Sequence, residues 1–398
     1  MIKFPSFYTG GSWLLMVANF LVVIVQLTAV IGGGAAMRST TMAAAAELRY
    51  NAMFAFGDSM AETGNICAAS TNKTELDVLT CTHPPYGMTY FGKPACRWCN
   101  GRIALDFIAQ ALGLPLLPPS KSKGVDFRRG GNMAITGSTA MDFSFYNSLG
   151  IHDPVWNHGS LHAQIQWFQQ LMPSICGTDQ SCKEFLSNSL FVFGGFGGND
   201  YNILFLELGL KPEQGMNYTV KIVDAIIDGV EKLIELGAVH IVVPGIFPTG
   251  CLPIFLSLYA SSSGKADIDD AGCLKPYNKL TEYHNSMLRE RLQALQSKHE
   301  NSSTTRIMYA DYYSLVYQMV QQPRRFGFSD PLQACCGAGG GRYNFDVADR
   351  CGMEGATTAC RDPAARLSWD GVHPTEAANR IIAEGWLRGP YCDPPILG

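Results

Sequence analysis

The feature of this chain that most restricts its fold is a regular alternation of short apolar runs with longer amphipathic segments. The runs that predict buried strands are 53–56, 190–193, 240–243 and 306–310. The segments that predict helices are 103–112, 223–234, 280–295 and 376–386, and apolar residues in the second keep an i, i+3, i+4, i+7 spacing. Strands that alternate with helices predict an α/β fold with a mostly parallel sheet covered on both faces. Functional loops are then expected at the carboxyl ends of the strands.

The bulk composition is that of a globular protein. The chain has 398 residues, of which 47% are hydrophobic and 16% are charged, and this excludes a disordered polymer. The formal net charge is -4 and no long basic run occurs, so nucleic acid is not expected as a partner. Length alone favours two or three domains, but no internal repeat or linker is visible after residue 46.

The first 46 residues differ from the rest. Lys3 is the only charged residue before Arg38, and an apolar stretch over 13–36 ends in small residues. This order is typical of a secretory signal peptide, with cleavage between Ala36 and Ala46. The stretch is also long enough for a retained membrane anchor, which is the alternative. Either interpretation places the remaining domain, 47–398, on the non-cytoplasmic side. If the signal is cleaved, no stable membrane insertion is expected.

Two further features agree with export. The sequence contains three N-x-[ST] motifs, and these predict glycosylation at Asn72, Asn217 and Asn301. It also contains 13 cysteines, which is typical of an oxidising compartment and leaves at least one thiol unpaired within the chain. We therefore expect a secreted, extracellular protein, with the vacuole as a second possible destination.

Some cysteine and histidine spacings admit more than one interpretation. Cys176 and Cys182 flank a short loop and are expected to pair. Cys96 and Cys99 form a C-x-x-C motif, for which disulfide use is favoured over a zinc or redox role because no second pair with zinc-finger spacing follows. The only other metal candidate is a histidine pair four residues apart, His158 and His162, which is more typical of a loop.

A possible nucleophile follows the first predicted strand. The segment Gly57-Asp58-Ser59 is a tight turn that can present the Ser59 hydroxyl in a cleft. Serine is a weak nucleophile and requires a neighbouring base. An isolated motif of this kind is more often an ordinary turn or a helix N-cap.

A possible base and its orienting carboxylate precede the last predicted helix. Asp370 and His373 are three residues apart in the segment Trp369-Asp370-Gly371-Val372-His373. A carboxylate at this spacing can accept the Nδ1 proton of the imidazole, which fixes the tautomer and stabilises the imidazolium. Taken alone, a solvated turn with a capping aspartate is the commoner arrangement.

Two glycine-rich loops contain candidate donors to an oxyanion. Asn199 lies in a loop of small residues after the second predicted strand, and its amide can donate to a developing negative charge. Gly137 lies in another small-residue loop, where its backbone N–H is available in principle. The aromatic residues that follow this loop either line an acyl pocket or pack at the surface; they are Phe143, Phe145, Tyr146 and Trp156.

Taken together, these four segments resemble the blocks of the GDSL/SGNH hydrolases, specifically the large plant GDSL esterase/lipase group. Segments 85–92, 335–337 and 369–379 agree as well, and the resemblance covers the chain from about residue 50 to Cys392. It implies a single flavodoxin-like α/β/α domain and hydrolysis through an acyl-enzyme without a metal or other cofactor.

Carried over by motif, the resemblance implies a role for each candidate. Ser59 is the nucleophile, His373 is the base, and Asp370 orients the base. The backbone N–H groups of Ser59 and Gly137 and the side chain of Asn199 form the oxyanion hole. Three positions depart from the family pattern, where Leu, Asp and Asp are usual; they are Met60, Glu62 and Asn100. Met60 conserves volume, and the other two are expected to affect loop packing or substrate contacts.

The resulting prediction is a secreted carboxylic ester hydrolase that acts on a small-molecule, lipid or cell-wall ester. An acyltransferase that passes the acyl group to a sugar or lipid alcohol would use the same residues. A non-catalytic binding protein is disfavoured because the catalytic set is intact. An α/β-hydrolase is disfavoured because Ser59 does not lie in a G-x-S-x-G elbow.

Overall fold

The central element of the fold is a sheet whose strands lie in the order β2-β1-β3-β4-β5-β6. The computed structural model describes residues 50–70, 76, 79–152, 159–299 and 305–398. The strands are β1 (Met53–Phe56), β2 (Gly130–Asn132), β3 (Leu190–Phe193), β4 (His240–Pro244), β5 (Arg306–Ala310) and β6 (Cys392–Asp393). The first five are parallel, and β6 adds to β5 in the antiparallel sense. The order 2-1-3-4-5 of the parallel strands is that of a flavodoxin-like fold, as expected.

Helices connect the parallel strands. The α-helices are α1 (Asn65–Ala69), α2 (Ala104–Ala111), α3 (Phe143–Ser148), α4 (Leu161–Cys176), α5 (Asp179–Ser187), α6 (Gly198–Leu206), α7 (Pro212–Gly215), α8 (Thr219–Leu236), α9 (Pro253–Tyr259), α10 (Lys275–His299), α11 (Tyr312–Gln321) and α12 (Glu376–Arg388). Short 3₁₀ turns occupy Thr80–Thr82, Met216–Tyr218, Thr249–Cys251, Lys265–Asp267, Pro323–Phe326 and Pro363–Ala365.

The sheet separates two apolar cores. In β1, Phe54 and Phe56 face the core that contains the apolar faces of α4, α8 and α10. Met53 and Ala55 face the opposite core, which contains apolar residues of α2, α11 and α12. Alternate side chains of one strand therefore enter different cores, and this explains why the strand is apolar throughout. The result is the three-layered α/β/α arrangement that the sequence predicts.

The predicted elements agree with the structure, apart from their ends and two short strands. All four predicted strands and all four predicted helices are present, and α10 extends further at both ends than the predicted 280–295. Strands β2 and β6 were not predicted, because a run such as Gly130–Asn132 has no apolar signal. Each is a strand only because a neighbouring strand provides hydrogen-bond partners.

Five disulfides cross-link the described residues, Cys67–Cys96, Cys176–Cys182, Cys251–Cys273, Cys335–Cys360 and Cys336–Cys351. The predicted pairing of Cys176 with Cys182 is confirmed. Disulfide use of the C-x-x-C motif is correct for Cys96 and wrong for Cys99, which is a buried free thiol. The chain brings Cys67 against Cys96, whereas Cys99 turns toward Asn379 and the backbone of Gly101.

Two further expectations concern membranes and metals. Among the described residues, no helix combines the length and apolar character that crossing a bilayer requires. His158 lies outside the described residues, and His162 contacts the carboxylate of Asp142 at 3.0 Å. Within the same described ranges, no group of three or more His, Cys, Asp or Glu side chains has the arrangement of a metal site.

Candidate active site

The turn that carries Ser59 begins directly after β1. The backbone N–H of Ala61 donates to the carbonyl of Asp58 at 3.0 Å, and the Asp58 carboxylate accepts the N–H of Met60 at 2.9 Å. Gly57 has φ +139°, and a Cβ there would overlap the carbonyl oxygen of Gly194 on β3's loop. The two hydrogen bonds and the close approach at Gly57 hold Ser59 at the carboxyl edge of the sheet. The helix-cap alternative is wrong, because α1 begins at Asn65 with Gly64 as its N-cap.

A second tight turn, just before α12, carries the predicted base. Asp370 Oδ1 accepts the backbone N–H groups of Val372 at 3.0 Å and His373 at 2.8 Å. Its other oxygen, Oδ2, lies 2.8 Å from His373 Nδ1. Both side chains are buried, so the alternative of a solvated turn is wrong. Because an ionised carboxylate only accepts hydrogen bonds, Nδ1 carries a proton and Nε2 has a free lone pair in the neutral ring.

The two turns meet although they are far apart in the chain. Ser59 Oγ lies 2.8 Å from His373 Nε2, across a sequence separation of 314 residues. A continuous hydrogen-bond path therefore runs from Ser59 through His373 to Asp370. This is the geometry in which an imidazole accepts the proton of a serine hydroxyl as that hydroxyl attacks.

The carboxylates near this path differ electrostatically. Burial alone would raise the pKa of Asp370, but the charge and hydrogen bonds of His373 outweigh burial and hold the pKa below its ordinary value. Burial raises the pKa of Asp58 to about 7, and the hydrogen bond from Met60 only partly offsets it. Asp370 is therefore the carboxylate that stays ionised and can stabilise an imidazolium.

The three predicted oxyanion donors line one cleft. Ser59, Gly137 and Asn199 all border it. Within the described residues, the backbone N–H groups of Ser59 and Gly137 donate to no protein acceptor, so both are available to a ligand. The Asn199 amide donates to the Ser138 carbonyl at 3.0 Å and to Asp58 Oδ2 at 3.3 Å. A substrate oxygen would therefore compete for a donor that is already oriented.

A buried aspartate joins the two loops that carry Gly137 and Asn199. Asp200 accepts the backbone N–H groups of Ala140 at 2.8 Å, Met141 at 3.0 Å and Gly197 at 3.1 Å. The phenol of Tyr146 donates to the same carboxylate at 2.6 Å. Asp200 therefore fixes the spacing between the two loops, which is what preorganised donors require.

The cleft above Ser59 has a volume of about 380 Å³, which is in the range of small-molecule sites. Much of its wall is apolar, formed by Trp98, Ile203, Leu206, Ile254, Phe345, Val347 and Val372. Two charged side chains, Glu207 and Arg350, also border it. The cleft can therefore accept an apolar substituent next to a reacting ester.

Several sequence-based expectations about nearby residues are resolved by the structure. Phe143, Phe145 and Tyr146 do not line the cleft. Phe143 is exposed and Phe145 is half-buried, as the surface-packing alternative predicts, whereas Tyr146 is fully buried against Asp200 and fits neither alternative. Trp156 lies outside the described residues. Glu62 and Asn100 also do not border the cleft. Both are buried and bind neighbouring backbone: Asn100 accepts the N–H of Glu376, and Glu62 accepts that of Thr136. Their effect is on loop packing.

Two residues of the site were not identified from the sequence. Tyr86 donates its phenol proton to Asp370 Oδ2 at 2.8 Å, and Trp98 stacks on the imidazole of His373. Tyr86 lies in segment 85–92, which resembles the family but suggests no role by itself. Trp98 lies between Cys96 and Cys99, and the C-x-x-C spacing of this segment predicts cysteine chemistry and gives no role to the tryptophan.

The chain is similar to a family of known proteins over most of its length. The GDSL-like lipase/acylhydrolase family matches residues 53–386. The chain belongs to this family. A GDSL esterase/lipase of Arabidopsis thaliana is 41% identical over 350 residues, which cover 87% of each chain. Another from the same plant is 38% identical over 353 residues, covering 87% of this chain and 92% of the relative. The sinapine esterase of Brassica napus is 39% identical over 355 residues, covering 87% of each.

This GDSL protein is accordingly a hydrolase of the esterase/lipase kind. The family match over residues 53–386 and the names of the relatives support this.

Proposed function

We propose that the protein is a secreted carboxylic ester hydrolase that works through an acyl-enzyme on Ser59. The observation that carries the proposal is the path of 2.8 Å contacts from Ser59 Oγ to His373 Nε2 and from His373 Nδ1 to Asp370 Oδ2. An acyl-enzyme divides one difficult displacement into two easier ones.

In the first half of the reaction, Ser59 Oγ bonds to the ester carbonyl carbon while its proton passes to His373 Nε2. The carbonyl oxygen becomes an oxyanion that the N–H groups of Ser59 and Gly137 and the amide of Asn199 stabilise. The carbon–oxygen bond to the alcohol then breaks, and His373 returns the proton to the leaving alkoxide. Asp370 stays ionised and stabilises the imidazolium in between.

In the second half, water takes the place of the alcohol. His373 removes a proton from the water, which attacks the acyl carbon, and the Ser59 ester breaks as His373 gives that proton to Ser59 Oγ. The products are a carboxylic acid and the free enzyme. No step in this sequence requires a cofactor.

Labelling with an organophosphate probe tests this assignment. We expect one covalent adduct, on Ser59, found by peptide mass spectrometry, and none in Ser59→Ala or in His373→Ala. The double variant should be hardly less active than either single variant, because the two residues act as one unit. An adduct that persists in Ser59→Ala would show that another residue is the nucleophile.

The substrate side of the proposal rests on the apolar wall of the cleft. Ile203, Ile254 and Phe345 favour an ester with an apolar substituent of moderate size. Since one relative is named a sinapine esterase, sinapine belongs in a first screen beside p-nitrophenyl, acetyl-sugar and hydroxycinnamoyl esters.

Export is the remaining part of the proposal. Residues 1–46 would be a secretory signal, leaving 47–398 as the hydrolase domain outside the cell or in the vacuole. The five disulfides support an oxidising compartment. Asn217 is exposed and accessible to a glycan, whereas Asn72 and Asn301 lie outside the described residues. N-terminal sequencing of secreted protein, and a fall in mass after N-glycosidase treatment, would test both claims.

A further inference from the structure

One face of the proposed base is covered by an aromatic ring. The indole of Trp98 stacks on the imidazole of His373, with 5.4 Å between ring centroids and 28° between planes. Both rings are buried. The imidazole is therefore held by more than Asp370, which contacts only its edge.

The indole is itself held by a hydrogen-bond chain. Trp98 Nε1 donates to the hydroxyl of Thr136 at 2.5 Å. The Thr136 hydroxyl has a single proton, which it donates to the carboxylate of Glu62. With Glu62 ionised, the direction of each hydrogen bond is thus determined, and the chain ends on Glu62.

Glu62 also holds the backbone next to Gly137. Its Oε2 accepts the backbone N–H of Thr136 at 2.6 Å, and its Oε1 accepts the backbone N–H of Ile66. Thr136 directly precedes Gly137, whose N–H is a proposed oxyanion donor. The fully buried Glu62 carboxylate therefore has two contacts that matter for the site. It binds the Thr136 hydroxyl that holds the Trp98 indole, and it binds the backbone N–H beside Gly137.

We propose that Trp98 is a positioning residue for His373, and that Glu62, through Thr136, fixes both the Trp98 indole and the Gly137 backbone. This inference rests on the proposed function, since it requires His373 to be the base. Neither residue touches the reacting atoms in the mechanism above; each acts through another group.

The physical basis is the charge that His373 acquires during the reaction. A cation over an indole face, within about 6 Å of the centroid, is stabilised by the ring quadrupole, and tryptophan is the best of the aromatic residues in this role. Trp98 should therefore stabilise the imidazolium and restrict rotation of the ring. Its loss should make His373 a weaker base.

Other charged groups also face His373 or its cleft, and the test must leave these side chains unchanged. Asp370 contacts Nδ1, and Asp58 interacts with the imidazole electrostatically. Glu207 and Arg350 border the same cleft. None of these is altered when Trp98 is replaced, so a change in the pH profile reports the loss of the indole.

The main experiment measures kcat and kcat/KM against pH for Trp98→Leu and Trp98→Phe. In Trp98→Leu we expect the acid limb of the kcat/KM profile to move to lower pH by about 0.5 to 1.5 units, with kcat reduced about 10-fold. Trp98→Phe keeps a weaker stacked ring and should lie between this variant and the wild type. A Trp98→Leu enzyme that is folded and keeps the wild-type profile would overturn the proposal.

A matched control separates positioning from general packing. Trp386 is another buried tryptophan, packs against Tyr312 with centroids 4.5 Å apart, and does not border the cleft. Trp386→Leu should lower the melting temperature without moving the acid limb. An equal shift in both tryptophan variants would show that packing alone is responsible. If Trp98→Leu does not fold, the same test uses Trp98→Phe. Its pH profile and an NMR titration of its His373 ring should then both be displaced to lower pH relative to the wild type.

A double-mutant cycle tests the link to Glu62. Glu62→Gln places an amide N–H₂ opposite backbone donors, and losing one buried hydrogen bond should lower kcat about 10-fold with little change in KM. Glu62→Asp keeps the carboxylate and should recover part of the loss. Combined with Trp98→Leu, the Glu62→Gln loss should be less than additive. Additive losses would overturn the link between the two residues.

Failure of this inference can be told from failure of the proposed function. If Ser59→Ala and His373→Ala remain active, the proposed function fails first. If those variants are inactive but Trp98→Leu behaves like the wild type, only the positioning role fails.

Discussion

The two turns of the proposed catalytic path contain buried carboxyl groups whose pKa values are shifted in opposite directions. Asp370, in the turn before α12, has a pKa below its ordinary value because the charge and hydrogen bonds of His373 outweigh its burial. Asp58 and Glu62, around the turn after β1, have pKa values raised to about 7, mainly by burial. All three are similarly inaccessible to water, so the partner decides the direction.

The comparison assigns the carboxylates different tasks. Asp370 faces an imidazole that becomes a cation in the proposed mechanism, and it can stabilise that charge. Asp58 and Glu62 face mainly neutral donors: the N–H of Met60 and the Asn199 amide for Asp58, and the N–H and hydroxyl groups of Thr136 for Glu62. Their contribution is geometric, since they hold loops in place. The proposed mechanism therefore requires charge of Asp370, and only hydrogen-bond acceptance of Asp58 and Glu62.

The sharpest test of this difference is Asp370→Asn. The amide keeps the shape but removes the charge and favours the wrong imidazole tautomer, so kcat should fall by roughly 1,000- to 10,000-fold. Steady-state kinetics with a p-nitrophenyl ester would measure the loss. Activity within about 10-fold of the wild type would contradict the assignment of Asp370 as the charged partner of His373.

The next largest effect is expected at Asn199, the proposed side-chain donor to the oxyanion. Asn199→Ala should lower kcat by about 100- to 1,000-fold with a smaller change in KM, since one side-chain donor is typically worth that much. Kinetics should be accompanied by a melting curve, because Asn199 also binds the Ser138 carbonyl. Near-wild-type turnover in the folded variant would remove Asn199 from the oxyanion hole.

A third test uses stability instead of rate. The pKa of Glu62 is raised from an ordinary 4.5 to about 7, so its contribution to stability is fully present below pH 4.5 and is lost as pH rises toward 7. Asp370, with a lowered pKa, contributes in the opposite sense: its stabilisation is present above the ordinary value of 3.8 and is lost as pH falls further. Between pH 5 and 8, the free energy of unfolding of the wild type should therefore decline by about 2 kcal/mol more than that of Glu62→Gln, which lacks the titrating group.

Urea unfolding at pH 5, 6.5 and 8 would measure this difference. The substitution also changes hydrogen bonds, but that effect is the same at each pH and cancels in the slope. If the free energy of unfolding has the same pH dependence in both proteins, Glu62 ionises in the folded state at little energetic cost, and the prediction is wrong.

The smallest effect is expected for Asp58→Asn. The asparagine oxygen can still accept the N–H of Met60, so the Ser59 turn should persist. Its amide would face the Asn199 amide, which should disturb one donor and lower kcat about 10-fold. A loss as large as that of Asp370→Asn, measured on the same substrate, would show that Asp58 is needed as a charge and would break the comparison.

The sequence predicted much of the fold and the candidate set of the site. Strands such as Met53–Phe56 were predictable because a parallel strand buried on both faces must be apolar throughout. Ser59, His373 and Asn199 were identified because each follows or precedes a predicted element in a distinctive loop. Gly137 was only a weak candidate from its small-residue loop, since a glycine N–H has no signal of its own, and the family resemblance supplied its role.

Other features were not predictable from local patterns. The disulfide partner of Cys96 is Cys67, which only the fold brings near it, whereas the C-x-x-C spacing suggested Cys99. Trp98 and Tyr86 join the site through contacts with residues more than 270 positions away. A tryptophan near two cysteines has no periodicity that would distinguish a stacking partner from a core residue.

What the sequence determined by itself is the set of elements and the chemical groups in their loops, because periodicity and turn residues act over a few positions. What only the tertiary structure decided is which of those groups meet. The order of the parallel strands brings Ser59 and His373 within 2.8 Å across 314 residues. It also decides the direction in which the pKa of each carboxyl group shifts, because that pKa depends on burial and on the partner that the fold supplies: His373 for Asp370, and neutral donors for Glu62.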